Sequence, residues 1–211
     1  MPDVSRLGLF VAAAIALLLT PGPAIMYIVT RSVEQGRVAG LVSVLGICTG
    51  TLIHVIGATF GLSALLVSSA VAFSIVRYTG AAYLILLGIQ TLVRHDPPLA
   101  DIAVVRADLR RVFTQGVIVN VLNPHTAVFF FAFLPQFVNP SSGHIPLQML
   151  SLGLLFVGLS ATTDSGWAIA AGTAGEWIKR HPRFRGGQRY VTGSVLLGLG
   201  AATAFAWNGR E

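Results

Sequence analysis

From one end to the other, the chain alternates long apolar stretches with short polar ones. Nearly uncharged blocks occupy residues 7–29, 41–66, 71–93, 112–138, 147–171 and 191–207. Each is close to the ~20 residues that an α-helix needs to cross ~30 Å of hydrocarbon at a rise of ~1.5 Å per residue. Period-two alternation over segments of about ten residues, the mark of a membrane barrel, is absent, so backbone polar groups must be satisfied within helices. The pattern predicts an all-α, polytopic membrane protein with six transmembrane helices. The competing reading of the first block is a signal peptide, since residues 10–19 form a short apolar run that stops at a proline. Only Arg6 supplies a basic charge ahead of that run, and no A-x-A site lies between the run and the apolar continuation from Ala24 to Val29, so the block is read as a span.

Composition strengthens this reading. Of 211 residues, 54% are hydrophobic and 10% charged, where soluble domains carry about 25% charged residues. The mean hydropathy of +0.76 exceeds what one globular core can hide, which excludes a soluble domain and also intrinsic disorder. Cys48 is the single cysteine, so no intrachain disulfide framework exists. A net charge of +6 would suggest nucleic acid in a soluble protein, but the basic residues sit in the short stretches between apolar blocks. With six spans, Arg31, Arg37, Arg94, Arg106, Arg110, Arg111, Lys179, Arg180, Arg183, Arg185 and Arg189 fall on one side, and only Arg6, Arg77 and Arg210 on the other. Loops rich in Lys and Arg stay cytoplasmic, so both termini are expected on the outer face and no nucleic-acid partner is expected.

The third and sixth blocks share a signature. Arg77-Tyr78-Thr79-Gly80 and an apolar run to Gly88 resemble Arg189-Tyr190-Val191-Thr192-Gly193 and a run to Gly200. Two three-span copies, an odd number each, must lie in opposite orientations, which predicts a 3+3 inverted repeat. The chain then forms one transmembrane domain: repeat 1 over residues 1–93, a cytoplasmic linker over 94–111 and repeat 2 over 112–211. In the second block Gly46 and Gly50, and again Gly57 and Gly61, make G-x-x-x-G steps, read as close helix packing in lipid.

Two blocks contain helix breakers. Thr20-Pro21-Gly22-Pro23 lies in the first and Asn123-Pro124-His125 in the fourth, with Asn120 close by. Proline removes a backbone donor and clashes with the preceding turn, so helices 1 and 4 are expected to break there. Broken backbone at membrane depth survives only if buried in protein or lining a wet cavity. Beyond each break a half-helix restarts with Pro23 or Pro124 in its first turn and turns its positive dipole end inward, a site suited to a carboxylate. Counted from the block ends, both breaks lie on the cytoplasmic side of the middle at similar depth. A strict two-fold would put them on opposite sides of the midplane, so either the copies have diverged or the block ends are misplaced.

Asp164 is the only carboxylate inside the six blocks, with Thr162, Thr163 and Ser165 around it. A charge near a helix centre costs about 2.5–3.5 kcal/mol on insertion scales, so this residue is expected to face a polar interior. It could meet a substrate ammonium, carry a coupling proton, or only hydrogen-bond within the protein. His54 is a second candidate for proton coupling and His125 for substrate binding. The candidate substrate site is therefore Thr20, Pro21, Gly22, Pro23, Asn120, Asn123, Pro124, His125 and Asp164. Neither a catalytic residue set nor a cofactor or metal site is expected.

The same residues carry a family resemblance. Thr20-Pro21-Gly22-Pro23, Gly36-Arg37 with Gly40 leading to Leu45-Gly46 and Gly50, Tyr78 with Gly80-Ala81-Ala82-Tyr83-Leu84, Leu122-Asn123-Pro124, and Leu134-Pro135-Gln136-Phe137 occur in the order found in the LysE/RhtB family of bacterial amino-acid exporters. The resemblance covers nearly the whole chain and is closest in texture to the homoserine/threonine branch. It implies a cytoplasmic (inner) membrane protein, not an enzyme, that expels amino acids or close derivatives by alternating access, driven by protons. The partners implied are an amino-acid substrate, protons and the lipid bilayer, and the glycine faces allow a homo-oligomer. Two positions depart from the family pattern: His125 stands where lysine is common, and Ala24 where asparagine is common. A channel or assembly subunit is the alternative function, and a membrane-embedded metal or redox protein a more distant one.

Overall fold

The computed structural model describes residues 4–20, 22–62, 108–139 and 143–174, together with scattered helical positions between 75 and 93 and between 194 and 201. Pro21, Arg77, most of the third and sixth blocks, most of the repeat signature and residues 94–107 of the expected linker lie outside the described residues, while residues 109–111 of that linker belong to a helix. Every regular element among the described residues is helical. Helix α1 spans Val4–Leu19, α2 Pro23–Gln35 and α3 Arg37–Gly57, continued by a wide π-type turn over Ala58–Leu62. Helix α4 spans Leu109–Val121 and α5 Pro124–Val128, prolonged by a π-helical stretch, Phe129–Phe133, and a 3₁₀ turn, Leu134–Phe137. Helix α6 runs over Ile145–Thr173.

Two segments, Arg37–Gly61 and Ile145–Thr173, are long and apolar enough to cross a bilayer unaided. Two more candidate crossings are bent pairs: α1 meets α2 at 50°, and α4 meets the Pro124–Phe137 segment at 49°. The breaks fall where the prolines predict, and the helices around them extend beyond the apolar blocks. Helix α2 continues past Val29 through Arg31 and Glu34 to Gln35, and α4 begins three residues before Val112 at Leu109. Helices α2 and α4 are thus both 13 residues long, about 20 Å each, and the other halves of their bent pairs are of similar length. Each break therefore lies near the middle of its bent pair. Apolarity ends before the helix does, because polar side chains in the last turns reach the membrane surface.

Helix α3 is the central post and packs most extensively against α4 and α6. Glycines make the α3–α4 seam. A Cβ on Gly46 would collide with the Phe113 carbonyl oxygen, one on Gly116 would meet the Ser43 carbonyl at 3.1 Å, and one on Gly50 would meet the Asn120 Cβ at 2.8 Å. The first G-x-x-x-G step is therefore a packing face. In the second, a Cβ on Gly57 would lie 3.6 Å from the Phe131 ring and one on Gly61 would meet nothing within 4 Å among the described residues. Between α2 and α3, Gly36 has φ 86°, a left-handed conformation that favours glycine, and its N–H closes α2 on the Ser32 carbonyl at 2.9 Å.

Two cores result. Phe10 and Leu17 of α1, Phe129, Phe130, Phe133 and Phe137 after the second break, and Phe156 of α6 form a large aromatic cluster at one end of the bundle. Ile28, Val44, Ile47 and Ala168 form a smaller one toward the end that carries the α2–α3 turn. The level of the two breaks lies between them.

Candidate functional site

Each break is held by local polar chemistry. The Thr20 hydroxyl donates to the Ala16 carbonyl at 2.6 Å, satisfying an acceptor left open at the end of α1. Pro23 opens α2, and Gly22, its N-cap, brings no side chain to the free N–H groups of the first turn. The start of α5 is different. The Asn123 carboxamide oxygen accepts from the His125 N–H at 3.1 Å, so this half-helix carries its own cap. One positive end is thus open and the other partly occupied.

Asn120 is the junction of the second break. Its Nδ2 donates to the Ile47 carbonyl and to the Thr51 hydroxyl, each at 2.8 Å, while its Oδ1 accepts from the Thr126 hydroxyl at 3.0 Å and from Asn123 Nδ2 at 3.4 Å. An asparagine side chain offers two donors and two acceptor positions, so the whole capacity of Asn120 is engaged within the protein. His54 joins this junction from α3, with Nε2 3.0 Å from the Asn120 backbone carbonyl. A carbonyl only accepts, so Nε2 carries the hydrogen.

Asp164 is 2% exposed and turns inward. Its Oδ2 accepts from the Ser160 hydroxyl at 2.7 Å, one helical turn earlier. The hydroxyls of Thr162 and Thr163 instead bond carbonyls of their own helix, at Gly158 and Leu159. Positions one and two apart point to different faces of a helix, which is why sequence neighbours were poor guides to its partner.

These groups surround one cavity of about 40 Å³ between the two cores. On the measure by which one water needs roughly 10–15 Å³, this is room for a few waters and not for an amino acid. Thr20, Gly22, Asn120, Asn123, His125 and Asp164 all line it. Of the other expected residues, Pro23 and Pro124 open the adjoining half-helices, Pro21 is outside the described residues, and His54 stands behind Asn120. The His125 ring lies over Gly22, 3.0 Å from where a Cβ would be, so it bridges the two breaks. Among the described residues, Asp164 is the only carboxylate on the lining and no Lys or Arg joins it.

Sequence reasoning missed Ser160, Thr51, Thr126 and Phe156, which also line the cavity. A signal existed for two of them. Ser160 is four residues from Asp164 on the same helix face, and Thr51 lies three before His54.

Comparison with known proteins places this geometry in context. Residues 15–206 match the family described as LysE type translocator. The chain is 32% identical over 190 residues to a homoserine/homoserine lactone efflux protein of Salmonella typhimurium, covering 90% of this chain and 91% of that protein. It is 29% identical over 197 residues to an uncharacterized membrane protein of Vibrio cholerae, covering 93% and 95% of the two chains. No solved structure matches.

Proposed function

The chain belongs to the LysE type translocators, and from that premise we propose that it is a proton-driven exporter of amino acids or close derivatives. The observation that carries this reading is the convergence of two broken crossings and a buried carboxylate on one cavity. In the proposed cycle the substrate ammonium meets Asp164. Its carboxyl oxygens lie at the half-helix starts beside Pro23 and Pro124, most directly at the uncapped N–H groups of α2, with His125 alongside. Protonation of Asp164 from outside weakens its hold on the ammonium and releases the substrate, and loss of that proton to the cytoplasm resets the site. His54 is held against Asn120 and is not asked to carry the proton.

The proposed arrangement is six crossings in a 3+3 inverted repeat, residues 1–93 and 112–211 with a cytoplasmic linker between them, in the inner membrane with both termini outside. Homoserine-like compounds are the first candidates for cargo, since relatives at 32% identity are named for homoserine and its lactone.

The test is reconstitution. Protein in proteoliposomes should move radiolabelled L-homoserine or an amino-acid mixture against its gradient when a pH gradient is imposed, with saturable rates. Flux that only runs downhill and does not saturate would favour the channel reading. A parallel challenge of cells with and without the gene, using amino acids, dipeptides and analogues, identifies the cargo.

A further inference from the structure

In an unbroken helix the Asn120 carbonyl would accept the N–H of residue 124, four positions on. Pro124 has no N–H, so the break removes this carbonyl's regular helical donor inside the protein. Two donors take its place: the Asn123 N–H at 3.0 Å and His54 Nε2 at 3.0 Å. His54 is 7% exposed. Its ring lies parallel to that of Phe130 at 6.3 Å and edge-on to Phe131 at 6.4 Å, both in the π-helical stretch beyond the break. The same α3 face presents the Ile47 carbonyl and the Thr51 hydroxyl to the Asn120 side chain. Positions 47, 51 and 54 follow the i, i+4, i+7 stripe of one helix face, so α3 grips a single residue of the break at three places.

We propose that His54 is a positioning residue that replaces the amide missing at Pro124. From α3 it fixes the direction in which α5 leaves α4, and so where Thr126 and His125 stand across the cavity from Asp164. This inference rests on the exporter reading, because the role it assigns is to shape that transport site. It requires a donor at Nε2 and no exchange of a proton during the cycle.

Glutamine carries an amide N–H at nearly the position of Nε2, whereas leucine fills similar space without a donor. In proteoliposomes loaded with radiolabelled L-homoserine, His54→Gln should keep a KM within about twofold of the wild type and an identically shaped pH profile. His54→Leu should raise KM about tenfold, the loss of one buried hydrogen bond. Separately, ¹⁵N-histidine NMR of the wild-type protein in nanodiscs, with the signal assigned by its absence in His54→Gln, should show His54 protonated at Nε2 and bare at Nδ1. A flattened pH profile in His54→Gln would make His54 a proton carrier and overturn the proposal. Wild-type KM in His54→Leu, or a bare Nε2 in the spectrum, would overturn it equally. Should His54→Leu fail to fold, the glutamine variant and the spectrum still decide. If the wild-type protein moves no homoserine, the exporter reading or its cargo is at fault, and the NMR result stands on its own.

Discussion

At the scale of single residues, the site turns on how few charges it contains. Asp164 holds one hydrogen bond from Ser160 and lines a cavity with no basic side chain among the described residues. If this carboxylate both binds the ammonium and takes the proton, Asp164→Asn removes both roles while keeping the shape of the side chain. Uphill transport should fall at least a hundredfold, and the residual flux should not respond to an imposed pH gradient. Wild-type, pH-driven rates in that variant would rule out the role given to Asp164. His125 is the complementary case, because an imidazole can gain or lose a proton where a lysine keeps its charge. His125→Lys makes the charge permanent, so the apparent affinity for substrate should lose most of its pH dependence. An unchanged affinity profile would mean that His125 does not face the substrate. Gly22 belongs with it: a Cβ there would press on His125 Nδ1 at 3.0 Å, so Gly22→Ala should perturb affinity more than stability.

At the scale of elements, much of the design was legible in the sequence, for identifiable reasons. Prolines dictate where a helix must open whatever surrounds them, so the breaks at Pro23 and Pro124 could be read directly. A carboxylate in an apolar block must turn inward, so the burial of Asp164 could be read as well. Partners could not. Asn120 bonds residues 69 and 73 positions away, and nothing local in the sequence encodes that α3 lies beside α4 in that register. Helix ends were also misjudged, since apolarity marks the hydrocarbon and not the helix. The α3–α4 seam is the element on which the site depends most, for it brings Thr51 and His54 to the second break. Gly46 sits in it against the Phe113 carbonyl. Gly46→Leu should therefore separate the two helices, with overpacking costing about 1–3 kcal/mol or more. Its expected signatures are a lower melting temperature in detergent and lost transport, while Gly61→Leu, where nothing lies within 4 Å among the described residues, should be tolerated. Equal melting temperatures for Gly46→Leu and the wild type would show that this seam does not need the close approach.

At the scale of the whole molecule, different kinds of contact lie to either side of the cavity. Toward the end occupied by α1 and the Phe129–Phe133 stretch, the cover is dry: Phe129 and Phe156 rings are 4.7 Å apart and Phe10 and Phe137 5.3 Å. Toward the other end, the seam between α2 and α4 is polar. The Tyr27 hydroxyl donates to the Val112 carbonyl at 2.7 Å, Arg31 donates to Gln115 Oε1 at 2.9 Å, and the Arg31 guanidinium lies 5.5 Å over the Tyr27 ring. Helices α3 and α4 are locked by glycines, but α2 is held to α4 by few bonds, of which the Tyr27 bond contributes about 0.5–1.5 kcal/mol and the charged Arg31 bond about 1.5–3 kcal/mol. An exporter loads from the cytoplasm, and the proposed topology puts the polar seam on that side. The expected outcome is that Tyr27→Phe admits reagents from that side more often. In a Cys48→Ser background, a reporter thiol at the cavity lining, Ile25→Cys, should react with a membrane-impermeant maleimide in inside-out vesicles about two- to tenfold faster when Tyr27→Phe is added. Labelling from the opposite face should not increase, because the aromatic cover is untouched. Equal labelling rates with and without Tyr27→Phe would mean that the α2–α4 bonds do not close the cytoplasmic path, and the moving part would then have to be sought at the Phe129–Phe133 stretch instead.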